Sequence, residues 1–199
     1  MNVALRRKPM TVEDFLDWEN RQEERWEFDG DAPVAMVGAS PRHNRIAGNV
    51  EFALRRRLRP PCVVYRETVR LRLAASLRYP DLMVVCTAVS PQATEITDPI
   101  VVVEILSPGT FRTDRIQKNR EYAAHPSIRR YILLEQEAIA AEVYAHEAYA
   151  QEAYAREAGR WVRSTVIGDG VLAMPEIGVE MPLAEAYAGL DLDTATASG

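Results

Sequence analysis

Two carboxylates lie in otherwise apolar segments, where the solubility of the chain does not require them. Glu104 interrupts the apolar run 100–106, and Asp81 immediately precedes the apolar segment 82–86. Both segments have the composition of buried strands. If these strands pair antiparallel across the loop 87–99, Asp81 and Glu104 become neighbours at one edge of a sheet. Two converging carboxylates repel each other unless a divalent cation lies between them, so the pair predicts a site for Mg²⁺ or Mn²⁺.

The same two carboxylates also allow a simpler interpretation. A buried, unpaired carboxylate is costly, so Glu104 needs a cation, a hydrogen-bond network or a metal. One of the many arginines could supply that cation, and Asp81 could cap a turn. The two residues taken alone leave both interpretations open.

A lysine follows these carboxylates at a spacing that suits catalysis. Asp114, Lys118 and Tyr122 occur at successive i, i+4 positions and therefore share one face of a predicted helix. The chain has only one other lysine, Lys8. An ammonium beside a metal-bound water can orient that water and neutralise charge that develops on a phosphate. The alternative for this lysine is a surface ion pair with Asp114.

Positive charge is concentrated between these motifs and the N-terminal part of the chain. The formal net charge is −5, yet residues 42–78 carry a basic cluster, which we call the arginine island. Its members are Arg42, Arg45, Arg55, Arg56, Arg57, Arg59, Arg66, Arg70, Arg72 and Arg78. Guanidinium groups pair well with phosphates, so the island predicts a nucleic-acid contact. The alternative is a solvated helix face that the acidic remainder of the chain neutralises.

Composition excludes several classes of protein. With 199 residues, 47% of them hydrophobic and 27% charged, the chain is typical of a globular domain rather than a disordered or coiled-coil protein. Its apolar runs are too short to span a bilayer, and residues 1–9 lack the apolar stretch of a signal peptide. We therefore expect a cytoplasmic protein without membrane contact, in which Cys62 and Cys86 are buried thiols. No P-loop, GxGxxG, HExxH or CxxC motif occurs.

Helical and strand patterns alternate along the chain and predict one α/β domain over residues 10–190, with tails at 1–9 and 191–199. Helices are expected at 12–21, 42–58 and 114–124. Strands are expected at 25–28, 34–37, 63–66, 69–73, 82–86, 100–106, 128–134 and 161–167. A Tyr-Ala-x-Glu-Ala repeat at 144–158 has a five-residue period that fits neither helix nor strand. We interpret it as a sequence expansion. Its Ala and Glu content favours a helix locally, whereas its position between strands suggests a long hairpin, and the repeat alone leaves both open.

These motifs, in this order, carry a family resemblance. They are Pro80-Asp81, Val103-Glu104, Ser107-Pro108-Gly109-Thr110, then Asp114, Lys118 and Tyr122, and the strand 130–133. Segments 10–15, 26–30 and 182–187 extend the match to roughly residues 10–190. The chain resembles the Uma-type putative restriction endonuclease family of the PD-(D/E)XK nuclease superfamily. The resemblance implies a restriction-endonuclease-like α/β fold, with a central mixed β-sheet, flanking helices and additional β-hairpins.

The resemblance also implies roles for individual residues. Asp81 and Glu104 would hold Mg²⁺ or Mn²⁺, with the Ile105 carbonyl as a further ligand and Glu27 as the N-terminal acidic residue of the cluster. The superfamily pattern expects a lysine two residues after the glutamate, but this chain has Leu106 there. The catalytic lysine would then be Lys118.

Two hypotheses of function follow. The first is a metal-dependent DNA endonuclease whose catalytic residues are Asp81, Glu104 and Lys118. The second is a nuclease fold retained as a nucleic-acid-binding or regulatory module with weak or no catalysis. In both, the basic helix would contact nucleic acid through Arg42, His43, Arg45 and Arg56. A homodimer is also expected, because exposed strand edges need cover.

Overall fold

The structure, a computed structural model, describes residues 10–36, 38–107, 109, 113–146 and 161–192. The tail 1–9, repeat residues 147–158 and most of the tail 191–199 lie outside this part of the chain. Its helices are α1 (Val12–Glu19), α2 (Pro41–Arg57) and α3 (Asn119–Ala124), with a π-helix at Thr113–Lys118 directly before α3. Two 3₁₀ segments cover Pro175–Ile177 and Leu183–Tyr187. No helix in these ranges is long and apolar enough to cross a membrane.

Thirteen strands accompany the helices in the described residues. They are β1 (Trp26–Phe28), β2 (Pro33–Ala35), β3 (Val63–Arg66), β4 (Arg70–Arg72), β5 (Leu77–Arg78), β6 (Leu82–Val85), β7 (Glu95–Ile96), β8 (Val101–Ile105), β9 (Arg130–Leu134), β10 (Ala140–His146), β11 (Trp161–Ile167), β12 (Val171–Met174) and β13 (Val179–Pro182).

A six-stranded mixed sheet forms the centre of the protein, in the order β11-β10-β9-β8-β6-β3. β8 and β9 are parallel, because the π-helix and α3 connect them by a crossover, and the other neighbours are antiparallel. β6 and β8 pair with Leu82 opposite Val103. This register brings Asp81, one residue before β6, opposite Glu104.

Helices cover both faces of the central sheet. On one face, α2 packs Ile46, Val50 and Leu54 against strand residues such as Leu82 and Val103. The opposite face carries a second core, which includes Met83, Val102, Leu106, Tyr122 and Tyr131. The alternation of neighbouring strand residues between the two cores is the period of two expected of a strand buried on both sides. The predicted α/β class, with a mixed central sheet between helices, is confirmed.

A smaller sheet lies beside the N-terminal helix. Its order is β2-β1-β5-β4-β7, and it includes the predicted hairpin, with Trp26 opposite Ala35. α1 begins at a capping box in which Thr11 and Asp14 exchange side-chain-to-backbone hydrogen bonds. Phe15 of this helix stacks on Phe28 of β1, with ring centroids 5.2 Å apart. This contact fixes the strand that carries Glu27.

Three expectations from the sequence need correction. The helix predicted at 114–124 is a π-helix followed by α3. The short strands β5, β7, β12 and β13 and the strand β10 have no counterpart among the predicted strands. β10 pairs antiparallel with β11, but repeat residues 147–158, for which the sequence suggests a long hairpin, lie outside the described residues. The expectation of two buried thiols is wrong, because Cys62 and Cys86 form a disulfide and both are partly exposed. The register of β3 and β6 sets Val63 opposite Val85, so the preceding and following cysteines face each other.

Candidate active site

The carboxylates of Asp81 and Glu104 lie on neighbouring strands at one end of the central sheet. Asp81 is positioned by the backbone of the opposite strand, since its Oδ2 accepts a hydrogen bond of 2.7 Å from the Ile105 N–H. Side chains of a strand alternate between its two faces, so Glu104 lies on the same face of β8 as Val102. This is the face covered by α3. The antiparallel pairing inferred from the apolar segments therefore does bring the two acids together.

Glu104 is buried and has two hydrogen-bond donors from the following helices. Its Oε1 accepts from Lys118 Nζ at 2.9 Å and from the Tyr122 hydroxyl at 3.2 Å. Burial raises the pKa of Glu104 well above its ordinary value, and the charges of Asp114 and Asp81 add to this, although Lys118 opposes it. Glu104 thus needs a cation in order to stay ionised.

Lys118 lies at the centre of the acidic cluster. Besides Glu104, its Nζ lies 3.2 Å from Glu27 Oε1 and 3.2 Å from Asp114 Oδ1. Burial alone would lower the pKa of Lys118, but the three carboxylates outweigh it and raise the pKa well above its ordinary value. Lys118 therefore stays an ammonium, and the i, i+4 spacing of Asp114 and Lys118 does serve a buried cluster instead of a surface pair.

Glu27 reaches this cluster from β1 and is held by three donors. Its Oε1 also accepts from the Tyr79 N–H at 3.0 Å, and its Oε2 accepts from Arg78 Nη1 at 3.2 Å. Burial raises the pKa of Glu27, but Lys118 and Arg78 outweigh it, so the pKa is lowered overall. Both oxygens of this carboxylate are thus engaged by the protein itself.

Arg78 is the site residue that sequence reasoning missed. Its side chain is fully buried, and it also forms a bidentate pair with Glu121, at 2.8 and 2.7 Å. Arg78 therefore connects Glu27 on β1 with α3, the helix that follows Lys118. Its one sequence signal is a charge between Leu77 and Tyr79, directly before the Pro80-Asp81 motif.

His43 lies in the first turn of α2, which begins after the N-cap Ser40. Its Nε2 is 3.2 Å from Asp81 Oδ2, and the ring also hydrogen-bonds the backbone of Ile105. Burial lowers the pKa of His43, but these hydrogen bonds and the charge of Asp81 outweigh it and raise the pKa above 6.5. The structure therefore brings His43 into the acidic cluster, not onto a separate basic surface.

One cleft of about 1240 Å³ is lined by Glu27, His43, Asp81, Glu104, Asp114 and Lys118. Arg78 is fully buried and does not line it. The lining of the cleft also includes apolar side chains of the β1–β2 hairpin and the residue after it, Val34 and Met36, together with Gln136 and Glu137. Arg42 and Arg66 also line it.

Most of the arginine island is neutralised within the chain. Arg42 pairs with Glu137, and the arginines at 55, 57, 66, 70, 72 and 78 also pair with carboxylates. Arg45, Arg56 and Arg59 have no ion pair in the described residues. Arg45 and Arg56 are exposed on α2 but do not line the cleft, and Arg56 lies over the Phe52 ring at 5.3 Å. Of the four predicted nucleic-acid contacts, the cleft therefore includes Arg42 and His43.

Leu106, at the position where the superfamily pattern expects lysine, is buried in the core on the α3 side. It does not line the cleft, and its carbonyl accepts a hydrogen bond of 2.7 Å from Gln136 Nε2. Lys118 is the lysine whose ammonium contacts Glu104. Lys118 thus reaches Glu104 from the π-helix and not from β8.

The donor set is suited to a hard divalent cation. Asp81, Glu104 and the Ile105 carbonyl offer oxygen ligands from two adjacent strands, and Mg²⁺ and Mn²⁺ favour oxygen. In the described ranges no three acidic, histidine or cysteine side chains already stand in a metal-binding arrangement. His43 contacts the Asp81 side of the cluster and Lys118 contacts the Glu104 side.

Comparisons with known proteins identify relatives of this chain. The family model Uma2, described as "Putative restriction endonuclease", matches residues 12–174. Two uncharacterized proteins of Synechocystis are similar in sequence. One, slr1290, is 27% identical over 91% of this chain and 93% of its own length. The other, sll1609, is 29% identical over 72% of this chain and 85% of its own length.

A solved structure shares the fold. It is described as a putative nuclease belonging to DUF820 from Anabaena variabilis, and the two chains superpose with a TM-score of 0.70 at 15% sequence identity. The match covers 90% of this chain and 98% of that one. The family model spans most of the described domain, including Glu27, Asp81, Glu104 and Lys118. The chain therefore belongs to the Uma2 family of putative restriction endonucleases.

Proposed function

We propose that this protein is a divalent-metal-dependent nuclease that hydrolyses phosphodiester bonds in DNA. The observation that carries the proposal is the cluster in which Glu104 lies opposite Asp81 and is bonded to Lys118 at 2.9 Å, at the base of an open cleft. The family description and the description of the Anabaena structure as a putative nuclease support the same activity.

The chemistry divides between the carboxylates and the lysine. Asp81 and Glu104, with the Ile105 carbonyl, would hold Mg²⁺ or Mn²⁺, which supplies Lewis acidity and an activated water when bound. The Ile105 N–H orients Asp81, and the Lys118 ammonium offsets negative charge that develops on the phosphate. Glu27 keeps that ammonium in place, since its own oxygens are engaged by Lys118, Tyr79 and Arg78.

DNA is the proposed substrate because arginines lie in and near the cleft. Arg42 and Arg66 line it but are paired with carboxylates, so the unpaired positive charge on α2 comes from Arg45 and Arg56, which are exposed. Such contacts give affinity that depends on salt and little on base sequence.

One observation favours a second candidate, a nucleic-acid-binding module without catalysis. His43 and Lys118 already bond the oxygens of Asp81 and Glu104. If these contacts persist in the presence of Mg²⁺, no metal enters the site and only binding remains.

The two candidates differ in a cleavage assay with end-labelled DNA and RNA of the same sequence. The nuclease proposal expects DNA cleavage with Mg²⁺ or Mn²⁺, no cleavage with chelator, and slower cleavage of the RNA. Salt-sensitive binding of DNA without cleavage under any metal would favour the binding module. Cleavage that continues in chelator would contradict the metal dependence, and RNA cleavage faster than DNA cleavage would contradict the substrate.

A further inference from the structure

The central sheet has one long, exposed edge. Strand β11, Trp161–Ile167, is the outermost of the six strands and pairs on its inner side with β10. In the described part of the chain, no strand pairs with its outer side. Arg163, Ser164, Thr165 and Ile167 are exposed, and the strand contains no proline.

The other edges of the two larger sheets are protected in ways that β11 is not. β2 begins with Pro33, β7 has only two residues, and β3 has four residues and ends at Arg66, which is paired with Glu51 and Glu67. Native proteins protect edge strands by short length, proline or charge, because an open edge pairs readily with another chain. The seven residues of β11 carry one charge, on Arg163. The outer edge of β11 is therefore free to pair with a strand of another chain.

The register shows which backbone groups of β11 point outward. The Gly168 N–H donates to the Ile139 carbonyl at 2.9 Å, so in the same register the even-numbered residues of β11 bond to β10. Arg163 and Thr165 therefore direct both N–H and C=O outward. Ile167 directs its N–H outward, while its carbonyl accepts from the Gly170 N–H in the following turn.

We propose that β11 pairs antiparallel with β11 of a second copy of this chain, about a two-fold axis at Ser164. In this register Arg163 lies opposite the partner's Thr165, and Trp161 lies opposite the partner's Ile167. Arg163 and Thr165 present both outward backbone groups for these hydrogen-bonded pairs, and Ile167 presents its N–H. The two central sheets then form one continuous sheet with a closed, isologous interface.

Charge and length select this register over its neighbours. Centring the axis on Arg163 would set the two arginines directly opposite each other, which is unfavourable across strands. Centring it on Thr165 would move Trp161 opposite Asp169, which lies beyond the strand. The axis at Ser164 pairs all seven residues and leaves Arg163 free to keep its ion pair with Glu142, at 3.1 Å.

Side chains complete the interface. Ile167 is 66% exposed, one of the most exposed large apolar side chains described. Its partner in the proposed register, Trp161, is fixed by a hydrogen bond of 2.6 Å from its Nε1 to Asn119 and by an edge contact with the His146 ring. Each copy thus offers a rigid aromatic surface to the exposed isoleucine of the other, twice in one interface.

A cysteine at the two-fold axis tests both the partner and the register. Ser164→Cys is expected to form a covalent dimer on mild oxidation, because residues facing each other in a non-hydrogen-bonded pair are close enough for a disulfide. Thr165→Cys is the matched control and is expected to cross-link poorly, since it faces Arg163. Both are read on non-reducing gels, with light scattering of the unmodified protein. A monomer by light scattering, or equal cross-linking of both variants, would overturn the proposal.

A second pair of variants distinguishes the two edges of the sheet. Ile167→Asp is expected to weaken dimerisation by at least about tenfold, because it sets a charge against the partner's Trp161 in both halves of the interface. Val63→Asp alters a similarly exposed residue, at 45%, on the opposite edge strand β3 and is expected to leave the dimer intact. Circular dichroism checks that both variants fold. Dissociation by Val63→Asp but not by Ile167→Asp would overturn the assignment. The proposal does not depend on nuclease activity.

Discussion

Lys118 Nζ lies 2.9 Å from Glu104 Oε1, within a buried cluster that contains more carboxylates than cations. Glu104 comes from the central sheet, whereas Lys118 ends the π-helix that crosses over to the next strand. π-Helical turns are rare and are frequently found at functional sites. The contact joins the two elements at the base of the cleft and makes the ammonium a common partner of Glu27, Glu104 and Asp114.

Removing this ammonium is expected to destabilise the fold. Lys118→Met leaves the surrounding carboxylates buried without their common cation, so the free energy of unfolding should fall by about 3–5 kcal/mol. Urea denaturation at neutral pH measures it. Arg163→Met, which removes an exposed arginine and leaves Glu142 paired with Arg115, is the matched control, with an expected loss below about 1 kcal/mol. Equal losses in the two variants would contradict the central position of Lys118.

Arg78 is expected to be as important for stability as Lys118. Arg78→Met leaves Glu27 and Glu121 without their buried partner, so the free energy of unfolding should fall by about 3–5 kcal/mol. Glu121→Gln in the same chain should recover part of the loss, because it removes one uncompensated charge. Arg59→Met, at an exposed arginine, serves as the control and should have little effect. An unchanged denaturation midpoint for Arg78→Met would show that the buried network is not formed.

The pKa of His43 should reverse its direction of shift when Asp81 is neutralised. Burial lowers this pKa, and hydrogen bonding to Asp81 is the first of the effects that raise it above 6.5. In Asp81→Asn the burial remains, so the pKa should fall below 6.5. NMR titration of the imidazole protons measures both values. His125, whose pKa is lowered by burial, is an internal control that should not move.

The same shift has a consequence for stability. Because the pKa of His43 is raised in the folded protein, its contribution is fully present below pH 6.5, the ordinary value, and is lost as pH rises through the raised pKa. The difference in unfolding free energy between the unmodified protein and His43→Asn should therefore shrink as pH rises across this range. A difference that grows with pH would contradict the ion pair with Asp81.

The disulfide is expected to stabilise the protein by restricting the unfolded chain. Cys62 and Cys86 are 24 residues apart, and closing a loop of that length contributes about 3–4 kcal/mol. The Cys62→Ser/Cys86→Ser double variant should lose this amount in urea denaturation, and reductant should affect only the unmodified protein. Two free thiols in the unreduced, unfolded protein would contradict the bond. A reducing cytoplasm would keep both cysteines as thiols, so the disulfide does not support a cytoplasmic location. That location stays a prediction from the sequence.

Sequence patterns correctly predicted those contacts in the site that join residues close together in the chain. The loop 87–99 is short enough to make antiparallel pairing of its flanking strands the natural arrangement, which brings Asp81 beside Glu104. The four-residue spacing of Asp114 and Lys118 likewise predicted a shared helix face. The roles of these residues in catalysis stay predictions.

Long-range pairing explains what the sequence did not reveal. A buried arginine at position 78 looks the same as an exposed one, because its partners Glu27 and Glu121 are 51 and 43 residues away. The cysteine pair depends in the same way on the register of β3 and β6. Most arginines of the island form ion pairs with carboxylates of the chain. The number of arginines in the sequence therefore overestimates the unpaired positive charge on the surface.

The most direct test of the account compares two aspartate variants in one cleavage assay. Asp81→Asn removes a charge from the site, whereas Asp169→Asn makes the same change at an exposed turn. With supercoiled plasmid and Mg²⁺, the account predicts that Asp81→Asn slows cleavage by at least about 100-fold and that Asp169→Asn cleaves at the unmodified rate. Equal cleavage by both variants, with both folded, would contradict the assignment of the site.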